Sequence, residues 1–293
     1  MSIELVTKFA PYTDEMFKAE SKRSLLTNSN FDWTGARTVK VWKISTVPLN
    51  DYDRVLDNKA EGVDRDSEIL LSRYGSIKDL SAATEEMLLK KDRSFIFNLD
   101  KLDMDETAQQ LNAATALARE LREVVIPEVD TYTYAVMVSN AGTTASAAEL
   151  TKNNVYTSIL AGSEALDNSE VPDTERVLVV TPATYTLLKQ AAEFDNTDIG
   201  ADMRLKGVVG ILDGMAVVKV PASRLPAGFG FMIAHPSATV APVKLEDYGI
   251  HSDTVLSSGD IVTGRVAYDA FVLENKVKGI YYHPIHVAQS AGN

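Results

Sequence analysis

Apolar and polar positions along this chain repeat with two different periods. Between Asp103 and Asn140, Ala108, Leu111, Ala114, Leu117, Ala118, Leu121 and Val125 recur at steps of three and four, the spacing of one helical face. Val129, Tyr132, Val136 and Met137 resume that spacing beyond Pro127. Asp103 with Glu106 three positions on is a capping pattern, and Asp105 and Glu106 stand at the positive end of the helix. The spacing predicts either one long helix bent near Pro127 or an amphipathic helix broken there. Its stripe is mostly Ala, and small side chains let a helix lie close against a sheet.

A period of two marks the strands. Thr38–Ser45 alternates closely, and a second strand is predicted from Glu86 or Met87 to Leu99. About 40 polar and charged residues separate them, too many for a structureless loop in a compact domain unless the loop has a function. Residues 37–98 therefore read as a long two-stranded excursion that needs bracing by neighbouring protein, because an isolated hairpin is marginal in water. Before it, residues 1–36 hold scattered apolar positions, among them Phe9, Phe17, Leu25, Leu26 and Trp33, with a short helix expected from about Thr13 to Leu26. That segment is too short for a core of its own, so its aromatics must pack on the rest of the molecule or on another subunit.

After a small-residue linker at 140–147, Thr151 is the expected cap of a helix carrying Val155, Ile159, Leu160 and Leu166. Arg176–Val180 reads as a short buried strand, and Thr181-Pro182 as an N-cap followed by proline at the first helical position. This order suggests an α/β or α+β core. Residues 194–206 have no period and carry Asp195, Asp198, Asp202 and Arg204, as an exposed loop would. Asp213-Gly214 between two apolar runs is a hairpin signal. Further strands are predicted at 230–235, 240–246, 264–273 and 277–282, with Asn275-Lys276 turning between the last two.

Composition narrows the classes. The 293 residues are 45% apolar and 24% charged, an ordinary globular balance. No apolar run reaches the roughly 18 residues of a membrane helix, and Met1–Leu5 lacks the layout of a signal peptide. The chain has no Cys, which excludes disulfides, thiolate metal sites and a Cys nucleophile and fits a reducing cytoplasm. A net charge of -12 argues against tight binding of nucleic acid, which needs basic clusters. The charge is uneven: residues 1–40 carry six Lys or Arg against five Asp or Glu, and residues 99–130 carry three against eight. A nearly neutral arm on an acidic body hints that the arm contacts acidic neighbours.

Catalytic patterns are missing. His283 and His286 are three apart without the helical spacing of zinc enzymes, and surface or interface positions are the expectation for all four His. The glycines at 200, 207, 210, 228 and 230 match neither a P-loop nor a dinucleotide fingerprint. Ser223 and Ser237 lack a nucleophile-elbow context. Asp64/Asp66 and Asp103/Asp105 are better explained by solvation and capping than by acid–base chemistry. Tyr268, Phe271, Tyr281 and Tyr282 read as a packed sheet face, since no Lys or Arg cluster surrounds them. No enzyme, cofactor or metal is therefore expected; an enzyme with its site near 194–206 is the remote alternative.

Phe229-Gly-Phe-Met-Ile-Ala-His-Pro-Ser-Ala-Thr-Val-Ala-Pro-Val-Lys-Leu-Glu-Asp-Tyr248, Gly264-Arg-Val-Ala-Tyr-Asp-Ala-Phe-Val-Leu273 and Asn275-Lys276 resemble the major capsid proteins of tailed double-stranded DNA phages. Asp100-Lys-Leu-Asp103, Arg122-Glu-Val-Val-Ile-Pro-Glu-Val-Asp130 and Leu212-Asp-Gly-Met215 do so too. The resemblance runs from about Phe9 to Tyr282 and rests on order and extent rather than on any one motif.

The resemblance implies the α+β HK97-type capsid fold. Residues 1–36 would be an N-terminal arm, 37–98 the extended loop, 99–140 with 240–293 the peripheral domain around a spine helix, and 141–239 the axial domain. Many copies would form pentamers and hexamers of an icosahedral virion shell around double-stranded DNA, assembled in the host cytoplasm. The DNA would be enclosed without sequence-specific binding, and no membrane would be involved. Scaffolding, portal and decoration proteins are the further partners expected, with scaffold on a separate chain or absent because the sequence starts close to the arm. Subunit-contact candidates are Phe9, Phe17, Leu25 and Trp33 in the arm, Arg54, Asp64, Arg65 and Arg73 in the excursion, and Asp195, Asp198, Asp202 and Arg204 in the axial loop. An encapsulin-like shell around cargo enzymes shares the fold and is the nearest alternative.

Overall fold

A computed structural model describes residues 20–28, 30–31, 38–52, 74, 80, 82–101, 113–191, 208–252 and 258–286, without the side chains of 244–246. Two compact units result, one of residues 36–88 and one of residues 1–35 with 89–293.

In the smaller unit, β1 (Thr38–Ile44) pairs antiparallel with β2 (Ala82–Leu88), in register from Thr38 opposite Leu88 to Ile44 opposite Ala82. Val39 and Val41 alternate with charged neighbours, as a two-sided ribbon allows. Lys40 faces Glu86 at 3.9 Å and Lys43 reaches Glu85 at 3.3 Å across the pair. Further out, the rings of Tyr52 and Tyr74 meet edge to face at 5.1 Å.

The larger unit is organised by a helix. Its described part runs as α1 (Ala113–Glu120), a π-helical turn (Leu121–Val125) and α2 (Ile126–Ser139). The chain does not break at Pro127. The helix widens just before it, with Ile126 N–H donating to the Leu121 carbonyl. Pro127 then sits in the first turn of α2, where it has no N–H to lose. The inserted residue also rotates the buried face. Ala114 and Ala118, expected inside, are exposed, whereas Ala113 is buried. In α2 the buried residues are Val129, Asp130, Thr133, Tyr134 and Met137. Two of these are polar, so the apolar spacing could not mark them.

Strand β3 (Lys91–Leu99) is the edge of a three-stranded antiparallel sheet with order β10–β11–β3, where β10 is Val243–His251 and β11 is Asp260–Tyr268. The single strand expected from Glu86 to Leu99 is thus two strands with different partners. They part at Leu89-Lys90, where the Lys90 N–H donates to the Asp269 carboxylate rather than to a ladder. Val125, Val129 and Tyr132 of the helix pack on Val243, Val266 and Tyr268 of this sheet.

The second sheet has six strands in the order β4–β13–β8–β5–β7–β6. These are β4 (Thr143–Thr144), β5 (Val177–Val180), β6 (Val208–Leu212), β7 (Met215–Lys219), β8 (Phe229–Ala234) and β13 (Ile280–Pro284). Val177 and Val179 point to a core shared with Tyr134, Met137 and Leu26. Leu178 and Val180 point to another, covered by α3 (Val155–Asp167) and α4 (Pro182–Gln190). Both faces are covered, so all of β5 is buried and it reads as a continuous apolar run. The helix α2 therefore packs on both sheets.

Local signals hold well. Thr181 Oγ1 accepts from the Thr184 N–H at 3.1 Å, with Pro182 next in line. Asp213 and Gly214 turn β6 into β7 with φ of 49° and 73°, both left-handed, as a tight hairpin requires. Other details differ. Thr151 does not cap α3; Asn154 precedes it and its Oδ1 accepts from the Thr151 N–H. The strand expected over 264–273 ends at Tyr268 and resumes as β12 (Phe271–Val272), paired with β9 (Thr239–Val240). A 3-10 helix over Glu274–Gly279 replaces the simple turn. The last strand leaves the group that follows Val240 and pairs with β8, Tyr281 opposite Ile233. Of the helix expected from Thr13 to Leu26, residues 13–19 lie outside the described residues and only a 3-10 turn stands at Arg23–Leu25.

Candidate functional site

Two polar clusters, the first buried and the second partly exposed, join distant parts of the larger unit. The first centres on Asp130, one turn before Tyr134 in α2. Its Oδ2 accepts from Arg224 Nη1 at 2.8 Å, and its Oδ1 accepts from the Ser21 hydroxyl at 2.6 Å. Arg224 also reaches the Glu20 carbonyl at 3.4 Å. A buried charge is tolerable when paired and hydrogen-bonded, and here the pairing ties the arm's root to the helix. Leu26 completes the attachment by packing beside Tyr134, and the Asn28 N–H donates to the Thr239 carbonyl at 2.7 Å. Burial, and next the Asp130 charge, hold the Tyr134 phenol well above its ordinary pKa, with Arg224 and Arg23 pulling back.

The second cluster surrounds the end of β11. Tyr268 donates to Glu128 at 2.8 Å, and Arg93 pairs with the same Glu128 oxygen at 2.9 Å. Tyr132 donates to Asp269 at 2.8 Å. Burial, then the bond to Asp269 and its charge, push the Tyr132 phenol up to about 12. Each phenol is thus a fixed donor at neutral pH, not a proton shuttle.

A cavity of about 310 Å³ lies at the arm's root, lined by Ser21, Arg23, Val125, Val129, Asp130 and Val266. The Ser21 hydroxyl and the Asp130 carboxylate are hydrogen-bonded to each other at this cavity, and Asp130 is also engaged by Arg224. Among the described residues no group of three or more His, Cys, Asp or Glu could hold a metal ion, and no helix is long and apolar enough to cross a membrane.

Of the contact candidates, Leu25 alone lies among the described residues; it is half-buried against its own subunit's core. Phe9, Phe17, Trp33, Arg54, Asp64, Arg65, Arg73, Asp195, Asp198, Asp202 and Arg204 lie outside the described residues, as do Asp66, Asp103 and Asp105. His235 and His283 are buried, contrary to a surface placement, while His251 is exposed. His235 Nδ1 accepts from the Ser237 N–H at 3.2 Å, and the His283 ring stacks on Phe231 at 4.9 Å. The larger surprise is in the excursion, where Trp42, Ile44, Leu49, Tyr74 and Leu80 are all exposed. Alternation had placed Trp42 and Ile44 in a strand without saying that the face carrying them would be left uncovered.

A family model described as phage capsid protein matches residues 84–282. This chain belongs to that family. The match spans the helix, both larger sheets as far as Tyr282, and the two polar clusters apart from Glu20 and Ser21 of the first.

Solved phage structures repeat the fold of this capsid protein. One from Mycobacterium phage Che8 is similar with a TM-score of 0.72 and 19% identity, over 97% of this chain and 98% of that one. The capsid of the cyanophage P-SCSP1u gives 0.71 at 13% identity, over 97% and 94%. The mature capsid of bacteriophage PhiM1 gives 0.68 at 12% identity, over 98% and 93%. Among curated proteins none matches in sequence. The capsid protein has the HK97-type fold, and it is a structural component of a phage shell.

Proposed function

We propose that copies of this capsid protein assemble into pentamers and hexamers of an icosahedral shell that encloses double-stranded DNA. The observation that carries the reading is the excursion's bare apolar surface. Trp42 is 69% exposed and Ile44 66% exposed in the isolated subunit. Exposed apolar surface on a thin ribbon is unfavourable in water and marks a place where protein docks. Second copies of the chain are the partners this reading supplies.

Within it, residues 1–36 are the arm, the excursion cut back to residues 37–88 is the extended loop, and the helix with the β10–β11–β3 sheet forms the peripheral domain. The six-stranded sheet, with β13 added to it, forms the axial domain. Phe9, Phe17 and Trp33, Arg54, Asp64, Arg65 and Arg73, and Asp195, Asp198, Asp202 and Arg204 are proposed subunit contacts. Interfaces larger than the standard ~1,600 Å² are expected. The net charge of -12 suits a wall that repels DNA weakly instead of holding its phosphates. Assembly takes place in the host cytoplasm, with scaffolding, portal and decoration proteins as further partners.

Light scattering and electron microscopy of the purified chain, alone and with its phage's scaffolding protein, test this. Shells or ring-shaped capsomers are expected. A chain that stays monomeric under all these conditions contradicts the proposal.

A further inference from the structure

Asp269 is buried between the end of β11 and β12. Its Oδ1 accepts from the Tyr132 hydroxyl and from the Ala270 N–H, each at 2.8 Å. Its Oδ2 accepts from the Lys90 N–H, also at 2.8 Å. A carboxylate out of water is stable only where donors replace its hydration. Here three donors do so, and they come from three separate places in the chain.

One of those places is the linker Leu89-Lys90, at which the chain returns from the excursion to the larger unit. Its N–H lies outside both ladders, because β2 pairs with β1 and β3 pairs with β11. Another is the spine helix. Tyr132 is held on both sides there, by the Lys91 ammonium 5.0 Å from its ring centroid and by the Tyr268 ring at 5.6 Å. A covalent linker alone would leave the dihedrals of Leu89 and Lys90 free to vary. A hydrogen bond from Lys90 to a buried, clamped carboxylate removes that freedom before any partner arrives, so that docking need not oppose it.

We propose that Asp269 is a positioning residue for shell assembly, which locks the chain's return from the excursion to the spine helix. The proposal rests on the shell reading above. Asp269→Asn tests it, because it keeps the volume but turns one oxygen into an NH2 group. If the remaining oxygen stays with Tyr132 and Ala270, that NH2 faces the Lys90 N–H, donor against donor. Tyr132→Phe is the milder companion, since it removes one donor and keeps the ring.

The readouts are amide hydrogen exchange at Lys90 and Lys91 in the unassembled subunit, and the yield and regularity of shells. In Asp269→Asn, exchange at Lys90 should rise roughly tenfold while the six-stranded sheet is unchanged, and regular shells should be lost. Tyr132→Phe should fall between this and wild type. Unchanged exchange at Lys90 overturns the proposal, and so do normal shells despite faster exchange. Should Asp269→Asn fail to fold, Tyr132→Phe decides by the same two readouts. A wild-type chain that forms no shells removes the shell reading and this proposal with it, a failure recognised because wild type and variants then behave alike.

Discussion

Arg224 Nη1 lies 2.8 Å from Asp130 Oδ2, and the two side chains expose only 6% and 2% of their surface. The pair joins a 3-10 turn after β7 to the middle of the spine helix, 94 residues apart in sequence. Asp130→Ala leaves a buried guanidinium without its partner and should cost about 3–5 kcal/mol. Asp130→Leu together with Arg224→Met removes both charges and should cost clearly less. Urea unfolding of the subunit measures the two; equal losses would mean that the ion pair is not what the single variant disturbs. The Arg265–Asp92 pair has comparable distances but is half exposed, so Asp92→Ala should leave the unfolding midpoint nearly unchanged.

Gly264 lies directly against the Phe95 ring. A Cβ there would stand 2.2 Å from Phe95 Cζ, on the residue directly across the sheet. Gly264→Ala should lower stability by about 1–3 kcal/mol through overpacking. Combined with Phe95→Leu it should be less harmful than the sum of the two single changes. Thermal unfolding of the four proteins gives the coupling, and strict additivity would argue against a clash.

Replacing residues 50–80 by a short glycine–serine turn should leave the larger unit folded, with its melting transition preserved. The same variant should form no normal shells by light scattering or electron microscopy. The prediction follows from the separateness of residues 36–88 as a compact unit. Normal shells from this variant would show that the excursion is dispensable.

His283 sets a pH dependence. Burial lowers its pKa from the ordinary 6.5, with its backbone hydrogen bonds pulling partly back. The unfolded chain therefore takes up the proton first. The stability contributed by the neutral ring is complete above pH 6.5 and is lost as the pH falls through the lower folded value. His235 is shifted the same way, mainly by burial. Subunit stability should therefore decline as the pH falls below about 6.5, before most carboxylates titrate. His283→Phe, which keeps a ring on Phe231, should flatten part of that decline. An identical slope in the variant would remove His283 as a cause.

Much of the architecture was legible where the deciding chemistry closes within a few residues. Asp213-Gly214 and Thr181-Pro182 supply their own φ values and cap hydrogen bond, so turn and helix start stand where expected. Strand β5 announced burial on both faces by having no polar residue at all. The clusters that lock the molecule were not legible. Asp130 sits in a helix among Glu120, Glu123 and Glu128 and looks like another solvated carboxylate; only Arg224 and Ser21 distinguish it. Asp269 and Lys90 are 179 positions apart, and no local pattern links them. The split of β2 from β3 escaped for the same reason, since no Gly or Pro interrupts residues 82–99 and the strands differ in their partners.

By itself the sequence determined the local grammar and the class: which stretches coil, which extend and where they turn. These depend on backbone propensity and on side chains within a few residues of one another. The tertiary structure alone decided that β13 joins the six-stranded sheet, that the helix turns Asp130 inward after its widened turn, and that Trp42 and Ile44 of the excursion stay bare. Those outcomes depend on which surfaces meet. A buried charge or an uncovered tryptophan is defined by neighbours that the chain brings in from a hundred residues away, or by a second copy of the chain.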